Sequence, residues 1–466
     1  MFRKNLPEGI IKFLLLVFIT IFVTYKAPRI LAYIWYVTTL ILYFRSNDEP
    51  FWLAFYFTTV DGFLGFFGLY TVTINIFPGL PAVELAQFYI LLSFIKAIQV
   101  KNKPFVFYNK YLTILLMYMI FLIIWGQMMG FSGEARDYFR IIKLTLPFLL
   151  FYTLPRLFPD YESFKRLFGF MFVILICAFL TQLFVLFTGL LPAKITELTP
   201  EQASEAGGYR GFFNIGVTLM GLFGALFFLS EKSSEYFSKI YLYILILSAY
   251  GMAYISATRG WIISFSFIII FSFLFIPGIR IKNIVQFSIF FLIVISIALS
   301  SNILREQITF ATSRVGTLKE LAEGDITAGG TLSRLSRRSP RVMNIFKQNP
   351  VFGWGFSDIS RKYSDGHVGN QTILLNSGVI GFILLIGFLI YFSFKLIEMH
   401  IFGNKIYLFR NSMPVFIIFL IGWFFIHSTS GQHFHYLGIP DQIIPQAIFF
   451  SFGALVYSES KKSIYG

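Results

Sequence analysis

Polar residues in this chain gather into short clusters that separate about fourteen apolar runs. The runs cover roughly residues 9–25, 28–44, 51–70, 82–98, 109–128, 138–155, 165–190, 211–229, 237–255, 260–276, 283–299, 371–396, 412–428 and 440–457. Most are long enough to cross ~30 Å of hydrocarbon as helices. They are too long and too continuously apolar for the alternating strands of a barrel, the other way to satisfy backbone groups in lipid. The first two runs form either one hairpin or two separate spans, so the pattern predicts an all-α, polytopic transmembrane helix bundle of 12–14 spans. It divides the chain into a helix bundle at 1–299, a long polar segment with short helices at 300–370, and C-terminal spans at 371–466.

Composition agrees with this division. The 466 residues are 56% hydrophobic and only 13% charged, with a mean hydropathy of +0.72, about half the charge of a soluble protein. Cys177 is the single cysteine and lies inside an apolar run, which excludes a disulfide framework and a cysteine-based metal site. Residues 9–25 lack a small-residue cleavage site and lead straight into further spans, so no cleavable signal is expected. The net charge of +15 suits anionic lipid or phosphate, and its placement sets the orientation. Short connections carrying Lys96, Lys101, Lys103 and Lys110, then Arg280 and Lys282, then Lys405 and Arg410, together with Lys461 and Lys462 in the tail, predict that both termini are cytoplasmic. The same parity puts 191–209, Ser256–Gly260, 300–370 and Ser428–Asp441 outside.

Four external clusters carry candidate chemistry. Tyr209-Arg210-Gly211-Phe212-Phe213-Asn214 leads a loop into a span, where an arginine either snorkels to headgroups or binds an anion. Ser256-Ala257-Thr258-Arg259-Gly260-Trp261 sets a second arginine at the same level, with Trp261 expected as an interfacial anchor. In TLSRLSRRSPRVMNIFKQNPVFGWG, Ser339-Pro340 has the chemistry of an N-cap followed by a first-turn proline. Val342, Ile345 and Phe346 would share one apolar face, and Asn349-Pro350 would stop the helix. Arg334, Arg337, Arg338 and Arg341 flank its N-terminus, an arrangement that suits either phosphate or plain solvation. Gly353 and Gly355 read as sharp-turn or close-packing positions.

The fourth cluster, Gly366-His367-Val368-Gly369-Asn370-Gln371, puts one of only five histidines where a polar loop meets an apolar run. His367 is either a structural interface residue or an acid–base group, and Asn370 would orient it or bind a sugar hydroxyl. Asp61, inside an apolar run, is open between proton relay and helix pairing. His427, His433 and His435 lie around the last external loop, but no carboxylate pattern there supports a metal.

The order and spacing of these clusters resemble the O-antigen ligase and O-antigen polymerase superfamily over about residues 205–395. Arg210, Gly211 and Asn214 resemble its helix-opening motif, and Thr258-Arg259-Gly260 its arginine between small residues. Arg334 or Arg338, followed by Asn349-Pro350-Val351-Phe352-Gly353-Trp354-Gly355, resembles its periplasmic loop. His367 with Ser377-Gly378-Val379-Ile380-Gly381 resembles its histidine and glycine-rich helix, although Val368 and Gly369 stand between His367 and Asn370. The resemblance implies a GT-C-like glycosyltransferase of the bacterial inner membrane, with its active site facing the periplasm and with no metal or other cofactor. Its donor would be an undecaprenyl-diphosphate-linked glycan, and its acceptor either lipid A core (ligase type) or a second lipid-linked glycan (polymerase type). Nucleic acid is not expected as a partner; membrane lipids are. His367 would be the catalytic base, Arg210, Arg259, Arg334 and Arg338 would hold the diphosphate, and Asn214, Arg337, Arg341 and Asn370 would support or bind sugar. A flippase or transporter is the competing class.

Overall fold

The structure, a computed structural model, describes residues 6–67, 72–76, 78–101, 104–191, 196–197, 209, 211–231, 237–277, 279, 281–316, 323, 337–402, 409–426 and 434–465. The fold is all-α, with two short antiparallel pairs, Thr73–Ile74 with Val83–Glu84 and Leu190–Leu191 with Thr196–Glu197. The helices are α1 (Ile10–Lys26), α2 (Arg29–Arg45), α3 (Glu49–Asp61), α4 (Leu85–Gln99), α5 (Asn109–Met128), α6 (Ala135–Thr145), α7 (Leu150–Leu157), α8 (Tyr161–Thr188) and α9 (Ile215–Ser230). They continue as α10 (Lys239–Ile255), α11 (Arg259–Phe275), α12 (Ile281–Ser300), α13 (Asn302–Gly316), α14 (Ser339–Phe346), α15 (Asp358–Tyr363), α16 (Gly369–Phe402), α17 (Met413–Leu420) and α18 (Pro440–Tyr465). Several are apolar and long enough to cross a membrane, among them α5, α8, α12 and α16. This is the build of a polytopic helical membrane protein.

The core centres on α3 and α9. All but one residue of α3, and every residue of α9 from Gly216 to Ser230, are buried, as expected of helices apolar all round. Phe223 of α9 packs edge-to-face on Phe416, Phe419 and Phe449, with ring centroids 5.0–5.2 Å apart, an arrangement that suits the opposite charge of ring face and edge. At the other extreme, α12 buries only Asn283, so its apolar side chains face outward.

Three elements differ from the sequence expectation. The 138–155 run is two helices, because α6 is amphipathic and a 3-10 turn through Pro147 separates it from α7. The 51–70 run ends as a helix at Asp61, since Gly62 takes a φ of 109°. The third is α16, broken at Gly378 (φ 64°, ψ −175°). The segment Pro350–Phe356 fills that break. Trp354 N–H donates to Leu375 O at 2.8 Å, while Val379 N–H and Ile380 N–H donate to Pro350 O and Val351 O at 2.9 and 3.3 Å. Gly353 and Gly355 have positive φ, and a Cβ on either would strike backbone, at Gly378 N for one and at Gly126 N for the other. The expected close-packing role is therefore met: two stretches of main chain touch where no side chain fits. Apolar surroundings demand this repair, because an unpaired backbone group there is costly.

Candidate functional site

The connections at 62–67, 72–76, 78–84, 129–137, 209, 211–214, 256–258, 302–316, 337–371 and 434–439 gather at one end of the bundle. Their cross-links show it: Asp61 with α9, Gly438 N–H with Leu144 O (2.9 Å), Asp137 with Arg361, and Gln307 with Tyr209 and Ile255. The opposite end holds Asp48 with Arg166 (2.8 Å), Glu49 with Lys96, and Glu231 with Ser412 (2.5 Å).

Asp365 organises the loop that carries His367. Its Oδ1 accepts from Arg338 Nη1 at 3.2 Å and from the His367 backbone N–H at 3.0 Å, and its Oδ2 accepts from Arg341 Nη2 at 3.1 Å. Thr372 closes the turn, accepting from Asp365 N–H at 2.9 Å and donating to its carbonyl at 2.8 Å. Burial pushes the Asp365 carboxyl up, but the His367 N–H and the Arg338 guanidinium outweigh it and hold the group below its ordinary value. His367 itself is exposed, in the 3-10 turn Gly366–Val368. Val342, Phe346, Val368 and Leu375 form the apolar cluster beneath, so α14 lies on the start of α16 by the face the sequence indicates.

Ser339 is not the N-cap. Arg338 holds that position with helical angles, and the Ser339 hydroxyl accepts instead from Gln371 Nε2 at 2.8 Å. The helix register is set by α16, a tertiary constraint that local capping chemistry does not reveal. Arg337 is exposed beside this cluster, and Asn370 is half-buried in the first turn of α16.

A second assembly forms around Gln307 of α13. Its amide nitrogen donates to Tyr209 O (2.8 Å) and Ile255 O (2.5 Å), and its carbonyl accepts from Tyr209 N–H at 3.0 Å. Arg314 Nε donates to Ala257 O at 3.0 Å. The turn entering α9 and the turn entering α11, where Arg259 is half-buried, are therefore tied by one helix. Arg210 and Arg334 lie outside the described residues, as do His427 and His433. Trp261 is buried against Phe212 at 6.0 Å and is not an interfacial anchor.

Asn214 is turned inward. It is buried, has φ 55°, and donates through Nδ2 to Asp61 O at 2.5 Å. Asp61 accepts from Gly216 N–H (3.0 Å) and Val217 N–H (2.9 Å). Both oxygens thus satisfy free donors at the head of α9, where a negative charge is favoured. Helix pairing accounts for this acid. His435 also has a structural role: Nδ1 accepts from Leu437 N–H at 2.8 Å, and burial pushes its imidazole down to about 4.

Three contributors escaped sequence reasoning. Asp365 is one of six acids in its segment, and its only signal is lying two residues before His367. Gln307 is an uncharged amide in the long polar segment, with no motif around it. Arg361 and Asp137 form an ion pair across 224 residues, with no local signal at all. Compared with the profiles of known protein families and with characterised proteins, the chain matches none.

Proposed function

We infer that this protein is a membrane glycosyltransferase of 12–14 spans, GT-C-like in architecture, with its His367 end facing the periplasm of a bacterial inner membrane. It moves a glycan from an undecaprenyl-diphosphate carrier to an acceptor sugar, lipid A core in the ligase reading or a second carrier-linked glycan in the polymerase reading. The observation that carries this is the shared carboxylate of Asp365, which holds two guanidiniums beside the His367 turn. Two cations against one anion leave net positive charge next to a proton acceptor.

In the reaction, the acceptor hydroxyl oxygen attacks the anomeric carbon as its proton passes to the His367 imidazole. The bond from that carbon to the diphosphate oxygen breaks, with inversion. Arg210 and Arg259, with a loop arginine, take up the charge that grows on the leaving diphosphate, a role fixed donors fill without reorganisation. Arg338 and Arg341 are oriented by Asp365, and Arg337 is the neighbouring cation for the ligand.

Single-turnover transfer with purified donor and acceptor, from pH 5 to 9, tests the reading. His367→Gln should lose about 10²–10⁴-fold in rate, since an amide takes no proton near neutrality. The wild-type rate should rise through the histidine range and then level. Wild-type rates in H367Q, with the same pH profile, would remove the base from this scheme. Product size on each acceptor separates ligase from polymerase.

A further inference from the structure

A second site lies beside the first. The start of α6, the Val83–Glu84 strand and α15 enclose a cavity of about 660 Å³ lined by Glu84, Glu134, Arg136, Arg140, Lys143 and Arg361, among others. Its size falls in the range of small-ligand clefts, about 300–1,000 Å³. Several of its charges are already committed. Arg361 pairs with Asp137 and with Asp358 (3.2 Å), and Lys143 donates to Ala82 O. Glu84 takes part in a capping box at the head of α4.

Arg136, Arg140 and Glu134 are different. They are exposed on the cavity wall, and among the described residues none has a side-chain partner. Arg136 and Arg140 lie one helical turn apart, so their guanidiniums share a face. A guanidinium pair binds a carboxylate or phosphate oxyanion through paired N–H donors. Glu134, with the other carboxylates of the wall, accepts hydrogen bonds and repels a densely anionic surface. One oxyanion on a body rich in hydroxyl donors is the chemistry that matches both halves.

We propose that this cavity binds an acidic sugar, a residue bearing a carboxylate or phosphate, in the glycan handled at the His367 site. The link to that site is α15, which contributes Arg361 to the cavity and leads directly into Asp365 and His367. The proposal rests on the glycan-transfer reading for its biological meaning, but its test needs no transfer.

The test is fluorescence anisotropy with labelled trigalacturonate and labelled maltotriose, on the full protein in phosphatidylcholine nanodiscs. Trigalacturonate should bind at least about tenfold more tightly than maltotriose, and R136Q/R140Q should bring it down to the maltotriose level. R136K/R140K should restore part of the affinity, which a misfolded variant would not do. Unchanged trigalacturonate binding in R136Q/R140Q would overturn the proposal. So would loss of wild-type binding when phosphatidylglycerol enters the discs, since a lipid headgroup would then be the occupant. If trigalacturonate binds as expected while H367Q transfers normally, only the assignment of His367 fails.

Discussion

Lys96 and Glu49 meet as a nearly buried pair at one end of the bundle, where the lysine also donates to Ser46 O and Tyr43 donates to the carboxylate. At the other end Arg338 and Arg341 share one carboxylate, and Arg136 and Arg140 have none among the described residues. The first arrangement is closed: acid and base saturate each other and present little to solvent. The second is open, with its backbone fixed and its cations only partly neutralised. Structure at one end comes from charge pairing. At the other, interlocked main chain is joined by side-chain ties such as Arg361 with Asp137 and Gln307 with Tyr209, and part of the positive charge stays unneutralised.

The largest expected effect comes from breaking that interlock. A Cβ at Gly378 would strike the Val351 carbonyl, at a position that also has φ 64°. Gly378→Ala should therefore cost more than about 4 kcal/mol, and the monodisperse fraction after mild heating in detergent should fall sharply. A wild-type heating profile in G378A would mean that main-chain contact does not hold this end.

Next is the closed pair. The side chains of Lys96 and Glu49 are 13% and 5% exposed, so Lys96→Met leaves a buried carboxylate without its cation, at a cost of about 3–5 kcal/mol. The same heating assay measures it, and K96M/E49Q should recover much of the loss. If K96M costs no more than a surface substitution, the contrast between the ends is lost.

The smallest effect is at Asp365. Its folded carboxyl lies below the ordinary 3.8, so its contribution is present above that pH and fades as pH falls through the lower folded value. Arg338 and Arg341 remain 39% and 51% exposed, which limits the gain to about 1 kcal/mol. Asp365→Asn should remove that part of the acid sensitivity in heating profiles taken between pH 2 and 5. Identical profiles for D365N and wild type would show that the carboxylate does not anchor the loop.

Much of this was legible in the sequence. The apolar runs give α4, α5, α8 and α10–α12 to within a few residues, because lipid-facing length is a one-dimensional property. What escaped depends on neighbours distant in sequence. Asp61 was open between proton relay and helix pairing, and only its contact with the head of α9 decides for pairing. The 300–370 segment was expected to carry short helices, but nothing in its pattern marked Asn302–Gly316 as one of them, which bonds to two turns through Gln307 and Arg314. Ser339 had capping chemistry and lost it to Gln371. In each case a side chain's role follows from the partner the fold brings to it. The grouping of His367 with the loop arginines was anticipated as a shared level; the carboxylate joining them was not.

The broken helix α16 also fixes what the Pro350–Phe356 segment can do mechanically. Swinging it out would strand Val379 N–H, Ile380 N–H and the Leu375 carbonyl at once, each at about 1–3 kcal/mol. Trp125 would lose its acceptor at Gly353 O (3.0 Å) as well. The segment is a wall rather than a door.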